Sequence, residues 1–340
     1  MNLENYFAPP KDGADIRRNI TYDCIKLGAM LITYRLLTTI FTYGFYIGAY
    51  YRFTGKLAGL NAAIKGLRED YKETVTSTAF SMILNSTVTG TGLICTLLLG
   101  WLVLGFGFDG FLRPTKDGAK KGLYFFPACF IMNMVVSLAV NFFTSAMESA
   151  GVTIPEADFT IKTPSTAAVV FQFLYVCIAA PLVEEIVFRG MILGALTKYG
   201  EIPAIFISAL CFGLMHGNIP QAAAAFVVGL AYASLAVSSR SIVPSFIVHM
   251  LNNMVVSMAE LGNGLELPYV DEVTSIVQVI VAVIGIYIAF TKYSYFRNDS
   301  REALPARGAV LKTEMTNPVL LIYLAMLVLN IVEGLINVNS

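Results

Sequence analysis

Long apolar runs separated by short polar stretches are the feature that most constrains how this chain folds. The runs lie near residues 27–50, 79–107, 123–147, 165–199, 202–216, 220–238, 242–259, 274–291 and 317–337. Several approach the roughly 20 residues that a helix needs to cross a bilayer, and they are too continuous to be strands of a membrane barrel. Because lipid offers the backbone no hydrogen-bond partners, the sequence predicts an all-α, polytopic transmembrane helix bundle of about eight or nine spans.

Composition agrees with residence in a membrane. Hydrophobic residues make up 56% of the chain and charged residues 14%, whereas an average soluble domain is about 25% charged. The formal net charge is zero, and no basic run interleaved with aromatic residues suggests binding to nucleic acid. The five cysteines lack the Cys-x-x-Cys spacing of a zinc site, so we interpret them as buried small hydrophobic residues. We expect a multi-pass protein of the cell membrane, with the lipid bilayer as its surroundings.

The charges of the polar stretches predict an orientation. Segments 113–121 and 292–312 are rich in Lys and Arg, whereas 148–162 and 260–272 are mainly acidic. Basic loops are retained in the cytosol, so we expect the first two segments to be cytosolic. Segment 52–73 is also basic, yet alternation of the spans places it outside. Either it is an amphipathic helix at the membrane interface, or the first two spans are miscounted.

The chain divides into three regions by content. Residues 1–160 form an N-terminal membrane region of about three spans, with a possible amphipathic segment at 53–78. Residues 161–260 hold most of the residues suited to chemistry, and residues 261–340 hold the C-terminal spans with a polar linker at 292–316.

Ionisable residues inside the apolar runs are the first candidates for a functional site. The only two histidines, His216 and His249, each lie in an apolar run, and a third run contains the pair Glu184 and Glu185. Such residues are expensive in a membrane and usually face a cavity or a partner. Glu185 precedes Arg189 by four residues, the favoured order for a helical ion pair. Glu184 lies about 100° away around the helix and is left to meet another helix.

Counting along the helices brings one pair to the same level. Glu184 lies 16 residues before Gly200 and His216 lies 16 residues after it, so in an antiparallel hairpin both are about 24 Å from the turn. The long run 165–199 should project into the cytosol, which predicts a site in the cytosolic half of the bilayer. Asn253 lies four residues after His249, on the same helix face.

These residue types suit hydrolysis by an activated water. A desolvated Glu184 can act as general base, with His216 orienting the water. His249 and Asn253 are donors suited to an oxyanion. A catalytic alternative is a zinc site with Glu184, His216 and His249 as ligands.

Three non-proteolytic interpretations stay open at this point. In the first, the protein is a non-catalytic immunity or scaffold protein of the membrane and the histidines are structural. In the second, residues 184–189 mark a helix end with solvated charges. In the third, Glu184 and the histidines form the relay of an ion transporter, although no symmetry between two halves of the chain supports that.

Pro181, just before the glutamates, should free a backbone carbonyl and kink its helix.

The ordered motifs resemble a known family. Glu-Glu-x-x-x-Arg at 184–189, Phe-x-x-x-His at 212–216 and His-x-x-x-Asn at 249–253 are similar to those of the CPBP, or Abi, intramembrane proteases, which include the type II CAAX prenyl endopeptidases. The resemblance covers about 165–260 and implies an endopeptidase acting on a peptide or a lipidated protein.

Carried over by position, the resemblance implies a role for each residue. Glu184 and His216 would activate the water, and His249 and Asn253 would stabilise the oxyanion. Glu185 and Arg189 would support them. Members of the family are described both as glutamic proteases and as metalloproteases, so the resemblance leaves the metal open; we favour a mechanism without a cofactor, with Zn²⁺ as the alternative.

Overall fold

In the computed structural model, the described residues are 16–75, 77–105, 115–156, 166–292 and 304–339, and their regular structure is helical throughout. Parts of the basic segments 113–121 and 292–312 lie outside these ranges. The main helices are α1 (Ile16–Thr54), α2 (Leu60–Asp70), α3 (Thr78–Leu99), α4 (Gly118–Ser149), α5 (Thr166–Leu196), α6 (Glu201–Leu214), α7 (Ile219–Ser239), α8 (Val243–Val256), α9 (Met258–Gly264), α10 (Val270–Thr291), α11 (Leu304–Met315) and α12 (Pro318–Asn339).

Six of these helices, α1, α4, α5, α7, α10 and α12, are long and apolar enough to cross a membrane. The predicted all-α polytopic bundle is therefore confirmed as a fold class. The predicted runs 202–216 and 242–259 form the shorter apolar helices α6 and α8, each of 14 residues. At about 1.5 Å per residue neither covers a hydrocarbon core of about 30 Å by itself.

Short α6 and α8 lie among the long helices. Helix α6 packs against α7 as a tight antiparallel hairpin, and α4 packs along α7, α8 and α10. Helix α1 contacts α3 on one side and α12 on the other. The bundle thus surrounds α6 and α8 with longer helices.

Two contacts identify the ends of the bundle. At one end the Lys198 ammonium lies 2.6 Å from the Asp23 carboxylate; at the other, the Asn339 side chain exchanges two hydrogen bonds with the backbone of Thr153, each of 2.8 Å. The first end also holds the starts of α4 and α8, and the loop charges predict it to be cytosolic.

Helix α2 explains the basic segment 52–73. It buries Ala63 and Leu67 and leaves its charged residues at the surface. Gly66 lies directly against the ring of Tyr50, where an added Cβ would be 2.6 Å from the nearest ring carbon. Residues 60–70 therefore form an amphipathic helix folded back on α1, and the position of this helix at a membrane interface stays a prediction.

Helix α5 carries two π-helical stretches, Leu174–Ala179 and Glu185–Leu193, on either side of Pro181. π-Helical turns widen a helix and are frequent at functional sites. In the first stretch the N–H of Ala180 bonds to the carbonyl of Tyr175, five residues back. The next residue, Pro181, has no N–H, so the next carbonyl in that register, that of Val176, needs another donor.

Candidate active site

The second π-helical stretch of α5 holds a fully buried ion pair. Arg189 Nη1 lies 2.9 Å from Glu185 Oε1, and both side chains are 0% exposed. The predicted ion pair is therefore confirmed. The interpretation of 184–189 as a helix end with solvated charges is wrong, because the side chains of Glu185 and Arg189 are both buried. Their pairing is what makes two buried charges tolerable. Arg189 also donates from Nη2 to the carbonyl of Gly229 on α7, at 3.3 Å.

His249 on α8 lies between the two adjacent carboxylates of α5. Its Nδ1 is 3.1 Å from Glu185 Oε1, and its Nε2 is 3.5 Å from Glu184 Oε2. Since a carboxylate accepts, Nδ1–H donates to Glu185, which leaves Nε2 directed at Glu184. Arg189, Glu185 and His249 thus form a continuous chain that fixes the imidazole of His249.

Phe212 on α6 is the aromatic centre of the site. The Arg189 guanidinium carbon lies 4.2 Å from the centroid of its ring. The imidazoles of His216 and His249 meet the same ring edge-on, at centroid distances of 5.1 and 5.5 Å. The ring of Tyr232 lies 5.2 Å from that of His249. These apolar rings lower the local polarity, which strengthens every electrostatic interaction in the site.

Asn253, one turn beyond His249, donates from Nδ2 to the carbonyl of Val176 at 2.9 Å. That carbonyl is the one that Pro181 cannot serve in the π-helical register. Asn253 therefore holds α8 against α5, and the amide retains a second N–H for another acceptor.

His216 lies in the turn between α6 and α7. Its Nδ1 is 2.9 Å from the carbonyl of Phe212, so Nδ1 donates and Nε2 is left as an acceptor in the neutral ring. The following residue, Gly217, has φ 76°, a left-handed conformation that favours glycine. A Cβ at Gly217 would lie 2.6 Å from Nδ2 of Asn330 on α12. The turn is thus held closely against the C-terminal helix.

A cavity of about 280 Å³ opens beside these residues, and its lining includes His216, His249 and Asn253. Along α7 it extends from Tyr232 to Pro220, which is about 18 Å of helix. It therefore leads away from the end of the bundle that the loop charges predict to be cytosolic. The depth of the site in a bilayer stays a prediction.

The structure brings the predicted residues together in a different pairing from the one that depth alone favours. Glu184 contacts His249, and in the described part of the chain no hydrogen bond or ion pair joins Glu184 to His216. Depth fixes the level of a residue but not its direction around the helix axis, and the π-helical stretches of α5 change that direction. His216 and His249 nevertheless face the same cavity and the same Phe212 ring.

The alternative zinc site is not assembled in this arrangement. Within the described ranges, no three His, Cys, Asp or Glu side chains are grouped as metal ligands. Glu184, His216 and His249 would need side-chain rearrangement to bind one ion. One feature does suit a metal: a ligand imidazole usually donates its other N–H to a carboxylate, as Nδ1 of His249 does to Glu185.

Several residues of the site were not expected from the sequence. Tyr232 and Asn252 line the cavity, as do Asn133, Ser137 and Asn141 of α4. Uncharged polar residues in apolar runs are only a weak sign of a functional site. The spacing of four residues on α4 is nevertheless visible in the sequence and places these three residues on one helix face.

Comparison with known proteins gives one family match, over part of the chain. Residues 166–255 match the model of a family described as type II CAAX prenyl endopeptidase Rce1-like. The matched segment contains Glu184, Glu185, Arg189, His216 and the His249–Asn253 pair. Neither curated proteins nor solved structures gave a match. Through residues 166–255, this multi-pass membrane protein thus matches the Rce1-like family of type II CAAX prenyl endopeptidases, as its three motifs predict.

Proposed function

We propose that this protein is an intramembrane endopeptidase that hydrolyses a peptide bond of a lipidated or membrane-associated protein with a water activated by Glu184. The observation that carries the proposal is the position of His249, held between two adjacent carboxylates beside a cavity. The family match supports the same class of reaction.

The proposed first step is attack by water. Glu184 takes a proton from a water molecule as the oxygen bonds to the carbonyl carbon of the scissile peptide. Nε2 of His216 accepts a hydrogen bond from the same water, because its Nδ1 donates to Phe212.

In the second step the tetrahedral intermediate collapses. His249, as an imidazolium, donates from Nε2 to the oxyanion while Nδ1 stays bonded to Glu185. The free N–H of Asn253 is the second donor. The C–N bond then breaks, and Glu184 returns its proton to the leaving amine. Glu185 and Arg189 act through His249 and are positioning residues.

The experiment uses the full chain in lipid nanodiscs and a quenched-fluorescent peptide with a farnesylated cysteine three residues from its C-terminus. Glu184→Gln and His216→Ala should each lower kcat/KM by about 100-fold or more. Their thermal unfolding midpoints should stay close to the wild-type value. Glu272→Gln, at an exposed position on α10, is the matched control and should keep full activity.

Two other results would redirect the proposal. Full activity of both variants would show that neither group activates the water. Wild-type protein without activity, combined with loss of stability in the variants, would favour a non-catalytic scaffold or immunity protein. Because Nδ1 of His249 bonds a carboxylate as in metal sites, zinc content and activity under a strong chelator should be measured in parallel. Stoichiometric zinc lost together with activity would favour the metal-dependent version.

A further inference from the structure

The lining of the cavity includes a polar stripe, which we define as Asn133, Ser137 and Asn141 of α4. The three residues are spaced by four, so they lie on one face of the helix, and all three line the cavity. Among the residues that the structure describes, their side chains form no hydrogen bond with the protein. The stripe is not part of the proposed catalytic machinery.

The stripe is confined to one face of α4. Val135 and Leu138, on the outer side of the same helix, are apolar and 60% and 67% exposed, as expected for contact with lipid. Polar side chains in a membrane helix are costly unless a cavity or partner receives them. The cavity therefore accounts for where these three side chains lie, but not for what satisfies their hydrogen bonds.

An acceptor without a hydrogen-bond partner in the described structure lies on another helix that lines the cavity. Asn252 of α8 lines the same cavity and is only 8% exposed. Its Oδ1 is buried without a hydrogen-bond partner in the described structure. A buried acceptor without a partner destabilises the protein by about 1–3 kcal/mol, so a ligand donor that reached the Asn252 side chain would be bound favourably.

The spacing of the stripe is close to the repeat of an extended peptide. Residues four apart on a helix are separated by about 6.0 Å along its axis. In an extended peptide, every second residue points the same way and the repeat is about 6.6–6.8 Å. Three amide or hydroxyl groups at this interval fit the alternating N–H and C=O groups of one edge of an extended chain. From Asn133 to Asn141 the stripe covers about 12 Å, or nearly four residues of such a chain.

We propose that the stripe binds the main chain of an extended substrate peptide across the cavity, with Asn252 of α8 accepting a peptide N–H. The inference rests on the proposed function, since it assumes that the ligand is a peptide. Recognition through the main chain fixes the direction and position of the scissile bond while it tolerates different side chains. The stripe residues are thus positioning residues for the substrate.

Binding is measured apart from cleavage. The probe is the same farnesylated peptide with a single dye, titrated against the Glu184→Gln variant in nanodiscs and followed by fluorescence anisotropy. Asn133→Ala and Ser137→Ala should each weaken binding by about 2- to 12-fold, the effect of one lost hydrogen bond. Leu138→Ala, on the lipid side of the same helix, is the matched control and should leave the affinity unchanged.

A second probe tests the main chain itself. In peptides of the same sequence, one backbone amide at a time is replaced by an ester, which removes one N–H. At one or more positions the ester should weaken binding to the protein with an intact stripe and have a smaller effect in Asn133→Ala, since contacting groups show non-additive effects.

The outcomes separate the two proposals. Stripe-dependent binding without cleavage by the wild type would keep this inference and overturn the proposed function. Cleavage with an affinity and KM that no stripe substitution changes would overturn the inference alone. Equal weakening by Leu138→Ala, or no binding of the peptide to the protein at all, would also overturn it.

Discussion

Asn253 donates a hydrogen bond of 2.9 Å to the carbonyl of Val176, which lies five residues before Pro181. In the π-helical register of α5 that carbonyl would bond to the N–H that proline lacks. Asn253 therefore has a structural task besides the catalytic role that we propose for it. Substitution of Asn253 alone would mix the two effects.

A pair of variants separates the two tasks of Asn253. Asn253→Ala should destabilise the protein by about 0.5–1.5 kcal/mol, because it removes the hydrogen bond to the half-buried carbonyl of Val176. Pro181→Ala restores a backbone N–H, so the double variant should recover part of that stability, as a thermal unfolding cycle would show. Activity should stay about 100-fold low in the double variant if the amide also stabilises the oxyanion.

Recovery of both stability and activity in the double variant would contradict a catalytic role for Asn253. Unchanged stability in Asn253→Ala would contradict the structural role.

The buried ion pair makes a second prediction. Glu185→Gln should destabilise the protein by about 3–5 kcal/mol, because Arg189 is then a buried charge without its partner. Replacing both residues, as Glu185→Leu with Arg189→Met, should cost less than either single change, in unfolding followed by intrinsic fluorescence. A double variant less stable than both singles would exclude this explanation.

The chain offers a matched control for that pair. Lys65 and Glu69 have the same spacing of four residues and lie 3.8 Å apart, but their side chains are 73% and 62% exposed. Glu69→Gln should change stability by no more than about 0.5 kcal/mol.

Glu314 on α11 makes stability depend on pH. Its carboxyl group is 0% exposed and neither oxygen has a hydrogen-bond partner in the described structure. Burial raises the pKa of Glu314 from 4.5 to about 8. The acid form is thus the one compatible with folding, and its contribution is present below pH 4.5 and lost as pH rises through about 8.

The loss of stability should be on the order of 1 kcal/mol per pH unit across that window. Glu314→Gln keeps the shape of the side chain without its ionisation. Between pH 5 and pH 9 the unfolding midpoint of the variant should therefore change less than that of the wild type, and the remaining change should come from other titrating groups. Parallel curves for the two proteins would exclude Glu314 as the source.

The hairpin of α6 and α7 depends on Gly213. A Cβ there would lie 2.7 Å from the carbonyl oxygen of Ala222 and 2.9 Å from Cβ of Phe226. Gly213→Ala should therefore cost about 1–3 kcal/mol and lower activity, because the hairpin positions His216. Gly48→Ala is the control, since nothing lies within 4 Å of its added Cβ. Equal effects of the two substitutions on thermal unfolding would show that backbone flexibility, not packing, is responsible.

The fold class was predictable because a membrane permits few ways to satisfy the backbone. The Glu185–Arg189 ion pair was also predictable, since local spacing alone decides it. The match of 166–255 to the family agrees with motifs that are visible in the sequence. These features depend on residues close together in the chain or on the solvent.

Directions around the helices were not predictable in the same way. The register of α5 changes at its π-helical stretches, and hydropathy carries no trace of them. This is why Glu184 meets His249 where equal depth suggested His216. The polar stripe of α4 carries no charge, so its spacing alone did not predict a site, and only the packing of α4 on α7 and α8 shows that this face meets the cavity.

The contact between Gly217 and Asn330 couples two parts of the chain that the family match separates. A side chain larger than glycine at 217 would have to displace the amide of Asn330. A larger residue at 217 is therefore tolerated only together with a smaller residue at 330. Residue 330 lies 75 positions beyond the end of the matched segment. A protein trimmed to 166–255 would therefore lose the surface that shapes the turn of His216, and the smallest unit expected to work includes the last helix.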